Sequence, residues 1–197
     1  MNVLTLILLS FITYLIGSIQ SGTLISKIFY KVDVRDSGSK SSGATNVHRT
    51  IGLKPGIIVL ILDVIKGSIP ILIISLFFED IFSIFCCIFL VLGHCYPMFH
   101  KFKGGKGVAT GFGSVIVLVP YIFIGLPVAI PIIYKTRFVS LGSILGCLVS
   151  IFIVSFMVIY NISNWEYIFL IFIPILIIYK HKTNIKRIIR KEENKLF

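Results

Sequence analysis

The sequence predicts an all-helical membrane bundle of about seven short transmembrane helices, with its N-terminus outside and its C-terminus cytoplasmic. Three observations carry that reading. Of 197 residues, 56% are hydrophobic and only 14% charged, against about 25% charged in a soluble domain, and the mean hydropathy is +1.00. Too little polar surface remains to cover a water-facing globule. Long uncharged stretches recur along the chain, and its basic residues gather in some connections and avoid others.

The elements follow in order. A first span runs from residue 3 into the region 17–24. No Lys or Arg precedes Lys27 and no small-residue cleavage site follows the apolar run, so it reads as a retained span and not a removable signal peptide. A basic polar segment covers 27–54. Residues 57–78 form a second span that carries Asp63 and Lys66. The acidic turn Glu79-Asp80 leads to a third span over 81–96, and Lys101, Lys103 and Lys106 crowd the next connection. Uncharged stretches then cover 107–134, 138–164 and 167–179, before a basic tail over 180–195. If basic segments stay in the cytoplasm, the stretch 107–134 must leave and return on one side. Pro120, Gly125, Pro127 and Pro131 offer places to turn, so two short crossings are expected there, with one kinked helix as the alternative. Gly52/Gly56, Gly107/Gly111 and Gly142/Gly146 lie four apart, a spacing that lets helices approach closely in lipid. With no repeat of fixed period and no linker, one membrane domain over 1–197 is expected.

Charge and cysteine usage narrow the chemistry. The net charge of +11 comes from 19 Lys+Arg against 8 Asp+Glu. Such a balance suits anionic lipid or small anionic substrates, and in a membrane chain cytoplasmic basic loops account for much of it. No nucleic-acid partner is expected. Cys86, Cys87, Cys95 and Cys147 sit in apolar runs without CxxC spacing, which points to packing and not to a disulfide frame or zinc site. No metal cluster stands out.

The polar interruptions are more specific. In KFKGGKGVATG (101–111) glycines free the backbone, a following helix offers the positive end of its dipole, and lysines add full charge. That suits a phosphate, with Lys103, Gly104, Gly105, Lys106 and Gly107 as candidates. It is not a Walker A loop, since Gly107 stands where Ser or Thr would follow the lysine. A flexible basic turn would share its composition. Between the first two spans, Ser18 and Ser21 in GSIQSG precede Arg35 and the hydroxyl-rich string holding Ser39, Thr45 and Asn46, again able to hold an anion or to serve as a solvated loop. Asp63 and Lys66 lie on one helix face inside an apolar span and are expected to form a structural ion pair. His94 reads as a packed residue. His181 and Asn184 are three apart at the start of the tail, on one face if helical; a basic surface helix is the plainer account. Ser140 and Ser143, in SLGS, enter a span where helix capping is their ordinary role.

In order, GSIQSG, DVRDSGSKSSGATNV, LDVIKG, LGHCYPMF, KFKGGKGVATG, SLGS and HKTNIKRIIRKEE make the chain resemble the bacterial acyl-phosphate-dependent glycerol-3-phosphate acyltransferases, the PlsY family. The likeness covers nearly the whole chain. It implies acyl transfer from acyl phosphate to glycerol 3-phosphate, giving lysophosphatidic acid and inorganic phosphate, at the cytoplasmic face of a bacterial inner membrane and without a cofactor. It implies functional roles for Ser21 and Arg35, phosphate binding by the glycine-rich loop, and roles for His181 and Asn184 with Glu193 as a structural glutamate. Partners are then the two substrates, membrane lipids, and by functional link the enzyme that makes acyl phosphate. Departures are Gln20 where proline is usual, Lys40-Ser41 where Gly-Asn is common, and Lys191 where glycine is usual. No histidine is followed five residues later by aspartate, the pattern of acyl-CoA-dependent glycerolipid acyltransferases. The general base stays open between His181 and a substrate phosphate oxygen. A transporter of phosphorylated compounds is the competing reading, although the basic residues gather at one face and not along a midplane path.

Overall fold

The computed structural model describes residues 2–196, and among them no strand occurs. Asn2 starts the first helix, α1 (Val3–Ser18), by accepting the Thr5 amide on its Oδ1 at 3.0 Å. Ile19 and Gln20 are extended, and α2 (Ser21–Tyr30) resumes the span. A short α3 (Ala44–Thr50) leads to α4 (Leu53–Phe77), then α5 (Asp80–Cys95), α6 (Val108–Leu118) and α7 (Gly125–Thr136). The chain closes with α8 (Val139–Ile159), α9 (Phe172–Lys180) and α10 (Lys182–Ile189). The thiols of all four cysteines are free and buried.

Among the described residues, four segments are long and apolar enough to cross a membrane: Val3–Tyr30, α4, Asp80–His100 and α8. A fifth is added if Trp165–Lys180 and Lys182–Ile189, bent by 50° where they meet, count as one span. Large apolar side chains such as Ile7, Phe11, Ile73, Phe77 and Phe152 lie exposed on these helices, as lipid-facing surfaces require. The chain is a multi-pass helical membrane protein. Its central post is α5, the most deeply buried of the four long spans. The stretch 107–134 is indeed broken, at Val119 and the 3-10 turn Pro120–Ile124. Of its two pieces, α6 has 11 residues and reaches only about 16 Å at 1.5 Å per residue, so its length alone does not establish a crossing.

The closest helix approaches fall at glycines outside the expected pairs. A Cβ on Gly17 would lie 2.0 Å from the Leu90 carbonyl oxygen, and one on Gly93 would lie 2.1 Å from that of Tyr14, so α1 and α5 touch backbone to backbone. Gly67 of α4 and Gly113 of α6 make the same kind of contact. Among the expected pairs, Gly142 does meet Ile133 and the Ala129 carbonyl closely, and Gly56 meets His48, whereas Gly52 has open space around it and sits at φ +140° before α4. Its role is in the turn and not in packing.

Gly93→Val is expected to lower stability in detergent by at least the 1–3 kcal/mol typical of overpacking, or about 2–4 °C per kcal/mol for a chain of this size. Gly146→Ala, whose new Cβ would make ordinary contacts at 3.8 Å or more in the middle of α8, should hold or slightly raise the melting temperature; an equal fall for both variants in a thermal melt would refute the assignment.

Candidate active site

The break between α1 and α2 leaves helix-end carbonyls without intrahelical donors. Lys66 of α4 fills that gap: its Nζ donates to the Ile19 carbonyl at 2.8 Å and sits 3.1 Å from Asp63 Oδ1. The expected ion pair exists, with both side chains buried. Asp63 Oδ1 also accepts from Ser21 Oγ at 2.8 Å. Ser21 is thus the first residue of α2, anchored to a buried carboxylate.

The glycine-rich loop packs against the end of α5 and runs into α6. Gly107 takes φ +85° as the residue before that helix, a conformation side chains resist. Lys103 points outward and is exposed, Gly105 and Gly107 are buried, and Lys106 is half-buried. Lys106 Nζ donates to Asn184 Oδ1 at 2.5 Å, and Asn184 Nδ2 donates to Glu193 Oε1 at 2.6 Å. Ser140 Oγ donates to the same carboxylate oxygen at 2.8 Å. One polar chain therefore links the glycine loop, α10, the tail and α8. Burial pulls the Lys106 ammonium down from 10.5 to about 8, with the Glu193 charge opposing. At neutral pH it stays charged.

His181 occupies the corner between α9 and α10, and its Nδ1 lies 2.8 Å from the Ile177 carbonyl. A carbonyl only accepts, so Nδ1 carries the proton and a neutral ring keeps its lone pair on Nε2. His181 and Asn184 share one buried face, as their spacing predicts.

These groups surround a polar cavity of about 150 Å³. Of the sequence candidates, Ser39, Thr45, Asn46, Lys106, Gly107, Ser140, Ser143, His181 and Asn184 line it. The first turns of α6 and α8 contribute Val108, Ala109 and Val139, so two helix N-termini face the space, an arrangement favouring anions. Ser21 stands one hydrogen bond behind the wall, through Asp63. Arg35, Lys103, Gly104 and Gly105 do not line it. Arg35 forms a two-pronged pair with Asp33, at 2.9 and 2.6 Å, and that guanidinium holds the Asp33 carboxyl well below the usual carboxylate range. A guanidinium has five donors, so Arg35 retains capacity for a phosphate.

Two sequence assignments change in kind. Asn46 spends its amide on the loop itself, donating to the Val34, Ser37 and Ser41 carbonyls and accepting from the Ser39 amide. It shapes the wall and offers no spare side-chain donor. Ser140 and Ser143 do not cap α8, which starts after Phe138; Ser143 bonds back to the Val139 carbonyl. The cavity also includes Arg49 and His94, which the sequence reading did not select. Arg49 donates to the carbonyls of Asn194 and Lys195, a tertiary pairing with no local signature. An ionisable pair inside an apolar span was the available signal for Asp63.

A second, larger cavity of about 580 Å³ adjoins the first. It is walled by apolar residues of α4, α6, α7, α8 and α9, and the two cavities share Thr45, Leu60, Val108 and Ser143. An amphiphile with an anionic head and an alkyl tail matches the pair. Among the described residues no serine–histidine–carboxylate relay is assembled around Ser21 and His181, because Ser21 faces Asp63 and the bonded nitrogen of His181 faces a backbone carbonyl.

Comparison with known proteins gives the chain a family. Residues 7–191 match the family model for glycerol-3-phosphate acyltransferase. The chain is 41% identical over 190 residues to the glycerol-3-phosphate acyltransferase of Bacillus subtilis, covering 96% of each chain. It is 39% identical over 198 residues to that of Listeria monocytogenes serotype 4a, covering 98% of each. The crystal structure of PlsY (YgiH), an integral membrane glycerol 3-phosphate acyltransferase, in its glycerol 3-phosphate form superposes with a TM-score of 0.88 at 38% identity, covering 97% of this chain and 95% of that one. Its lysophosphatidic acid form gives 0.85 at 36% with the same coverage. The chain belongs to the glycerol-3-phosphate acyltransferase family.

Proposed function

We propose that this protein transfers a fatty acyl group from acyl phosphate to a hydroxyl of glycerol 3-phosphate, releasing lysophosphatidic acid and inorganic phosphate. The observation that carries the reading is the junction of the 150 Å³ polar cavity with the 580 Å³ apolar one. The acyl chain lies in the apolar space while both phosphates sit among the lysine, arginine and helix N-termini. One polar segment holds each phosphate: the glycine loop with Lys106, and the first segment with Ser39 and Thr45 at the cavity wall, Ser21 acting from behind it through Asp63 and Arg35 reaching in with the donors its pair with Asp33 leaves over. Orientation of the hydroxyl against the acyl carbonyl supplies up to roughly 7–11 kcal/mol. Lys106, Arg35 and loop amides stabilise the carbonyl oxygen and departing phosphate. His181 offers an unprotonated Nε2 as base, and a substrate phosphate oxygen is the alternative. The unit is one acyltransferase domain over 1–197. It crosses a bacterial inner membrane seven times, with α6 and the 120–136 segment as two short crossings, the N-terminus outside and the site cytoplasmic. Transport is disfavoured because the one charged pair inside a span is consumed by its neighbours.

Purified protein in detergent micelles, given labelled glycerol 3-phosphate, should form lysophosphatidate with acyl phosphate and none with acyl-CoA; product from acyl-CoA alone would refute the donor. Lys106→Ala and Arg35→Ala should each cut kcat/KM by about 10²–10³-fold, the scale of losing one preorganised charge donor. Normal turnover in both would remove the site assignment.

The lowered Lys106 sets the sign of the pH response. Its ammonium is present below about 8 and lost above it, so kcat/KM should fall about tenfold per unit at alkaline pH, since that ratio follows the free enzyme. Lys106→Arg should abolish this limb, because a guanidinium stays charged. A wild-type profile flat to pH 9.5 or so would contradict the assignment.

A further inference from the structure

His94, near the end of α5, touches the two polar segments of the site and is unassigned in the mechanism above. Its carbonyl oxygen accepts the Gly105 amide at 3.1 Å and Gln20 Nε2 at 3.2 Å. Gln20 Oε1 in turn accepts from Ser42 Oγ. The same carbonyl approaches Gly104 so closely that a Cβ there would lie 2.2 Å away. On the other side of the residue, the imidazole presses against the loop: a Cβ on Gly105 would lie 2.1 Å from His94 Nε2. The glycine loop is therefore gripped at consecutive residues by one histidine.

The ring is fixed from behind. Lys66 Nζ and Thr110 Oγ1 each lie 3.1 Å from Nδ1. An ammonium has no lone pair, so Nδ1 must accept and the ring proton lies on Nε2. Asp63 Oδ1 lies 3.9 Å from Nδ1 and 3.1 Å from Lys66 Nζ, and it also holds Ser21. The buried cluster thus sets one position for the ring, and the ring with its carbonyl sets one position for Gly104 and Gly105, directly ahead of Lys106.

We propose that His94 is a positioning residue that seats the phosphate-gripping glycine loop against the first polar segment, with Asp63 and Lys66 fixing its ring. The role deepens the acyltransferase reading and rests on it. It also explains two features composition leaves open: why glycine occupies both 104 and 105, and why an ion pair is buried beside a loop it does not touch.

The test is a double-mutant cycle between His94 and Gly105. His94→Asn keeps an acceptor where Nδ1 stood for Lys66 and Thr110 but vacates the space against Gly105. It should fold, and raise the KM of one phosphate substrate about tenfold while the other stays within about twofold; displacement by an ångström can cost up to a hundredfold. Gly105→Ala alone should lower kcat/KM by roughly a hundredfold, and adding His94→Asn should recover at least about tenfold of that loss, a coupling expected only of residues in contact. Retention of near-normal activity by Gly105→Ala, or an equal penalty in both backgrounds, would overturn the proposal. So would a His94→Asn change confined to kcat with both KM values intact. If the asparagine variant does not fold, His94→Ala opens the same space and carries the cycle. Melting temperatures of the same four proteins in detergent report the clash and its relief without turnover. Should the wild-type chain transfer no acyl group, the acyltransferase reading fails, while the melting cycle still decides whether the histidine seats the loop.

Discussion

An ammonium and a carboxylate enclosed among lipid-facing helices are costly unless each is fully matched, and the rest of this site is arranged around one such match. Asp63 and Lys66 lie 3.1 Å apart with almost no exposure. Their remaining capacity is spent on Ser21, on the carbonyl released where α1 stops, and on His94. The charges therefore do more than neutralise each other. They tie the break between α1 and α2 to α4 and α5, and through α5 to the loop that starts α6. A helix can stop inside an apolar bundle only where something satisfies its last carbonyls, and the lysine lets α1 end beside the site.

A different economy operates on the far wall. Lys106, Asn184, Glu193 and Ser140 form a line in which each donor has its acceptor. The line holds the tail against α8, and Arg49 holds the next tail carbonyls. Because α10 bends 50° away from α9 at His181, the basic tail folds over the polar cavity. Glu193 lowers the cost of burying Lys106, so the cation is not left alone in its half-buried position.

Much of this was legible in the sequence, for stated reasons. Span positions follow from hydropathy, and the break near Pro120 from backbone chemistry. Lys106 and Gly107 of the glycine loop, the serines of SLGS, and His181 and Asn184 come together because each is polar at an apolar boundary, whereas Lys103, Gly104 and Gly105 stay outside the cavity. Other features are set by tertiary contact and leave no local mark. Gly17 and Gly93 lie far apart in sequence, so the close backbone contact between α1 and α5 is invisible to an i, i+4 search. The amide of Asn46 looks like an anion donor in a list of residue types, yet three carbonyls of its own loop claim it. His94 resembles a packed histidine from its surroundings, and it is packed; what it packs against gives it consequence.

The departures from the family pattern show how a fold keeps a backbone path after losing the residue that suits it. The resemblance implies glycine at the positions of Lys40 and Lys191, and both lysines adopt left-handed conformations, at φ +56° and +59°. The second follows α10, where the Glu192 amide reaches back to the Arg187 carbonyl at 2.8 Å, the closure that favours glycine. Each lysine there costs roughly 1–2 kcal/mol relative to a relaxed conformation. The turns survive because contacts on either side demand them: Asn46 clamps the first loop and Glu193 the second. Gln20 works in the opposite sense. Where proline would only stiffen the chain, its amide bridges Ser42 and the His94 carbonyl. That joins Ser42 of the first polar segment to the end of α5 by side-chain hydrogen bonds.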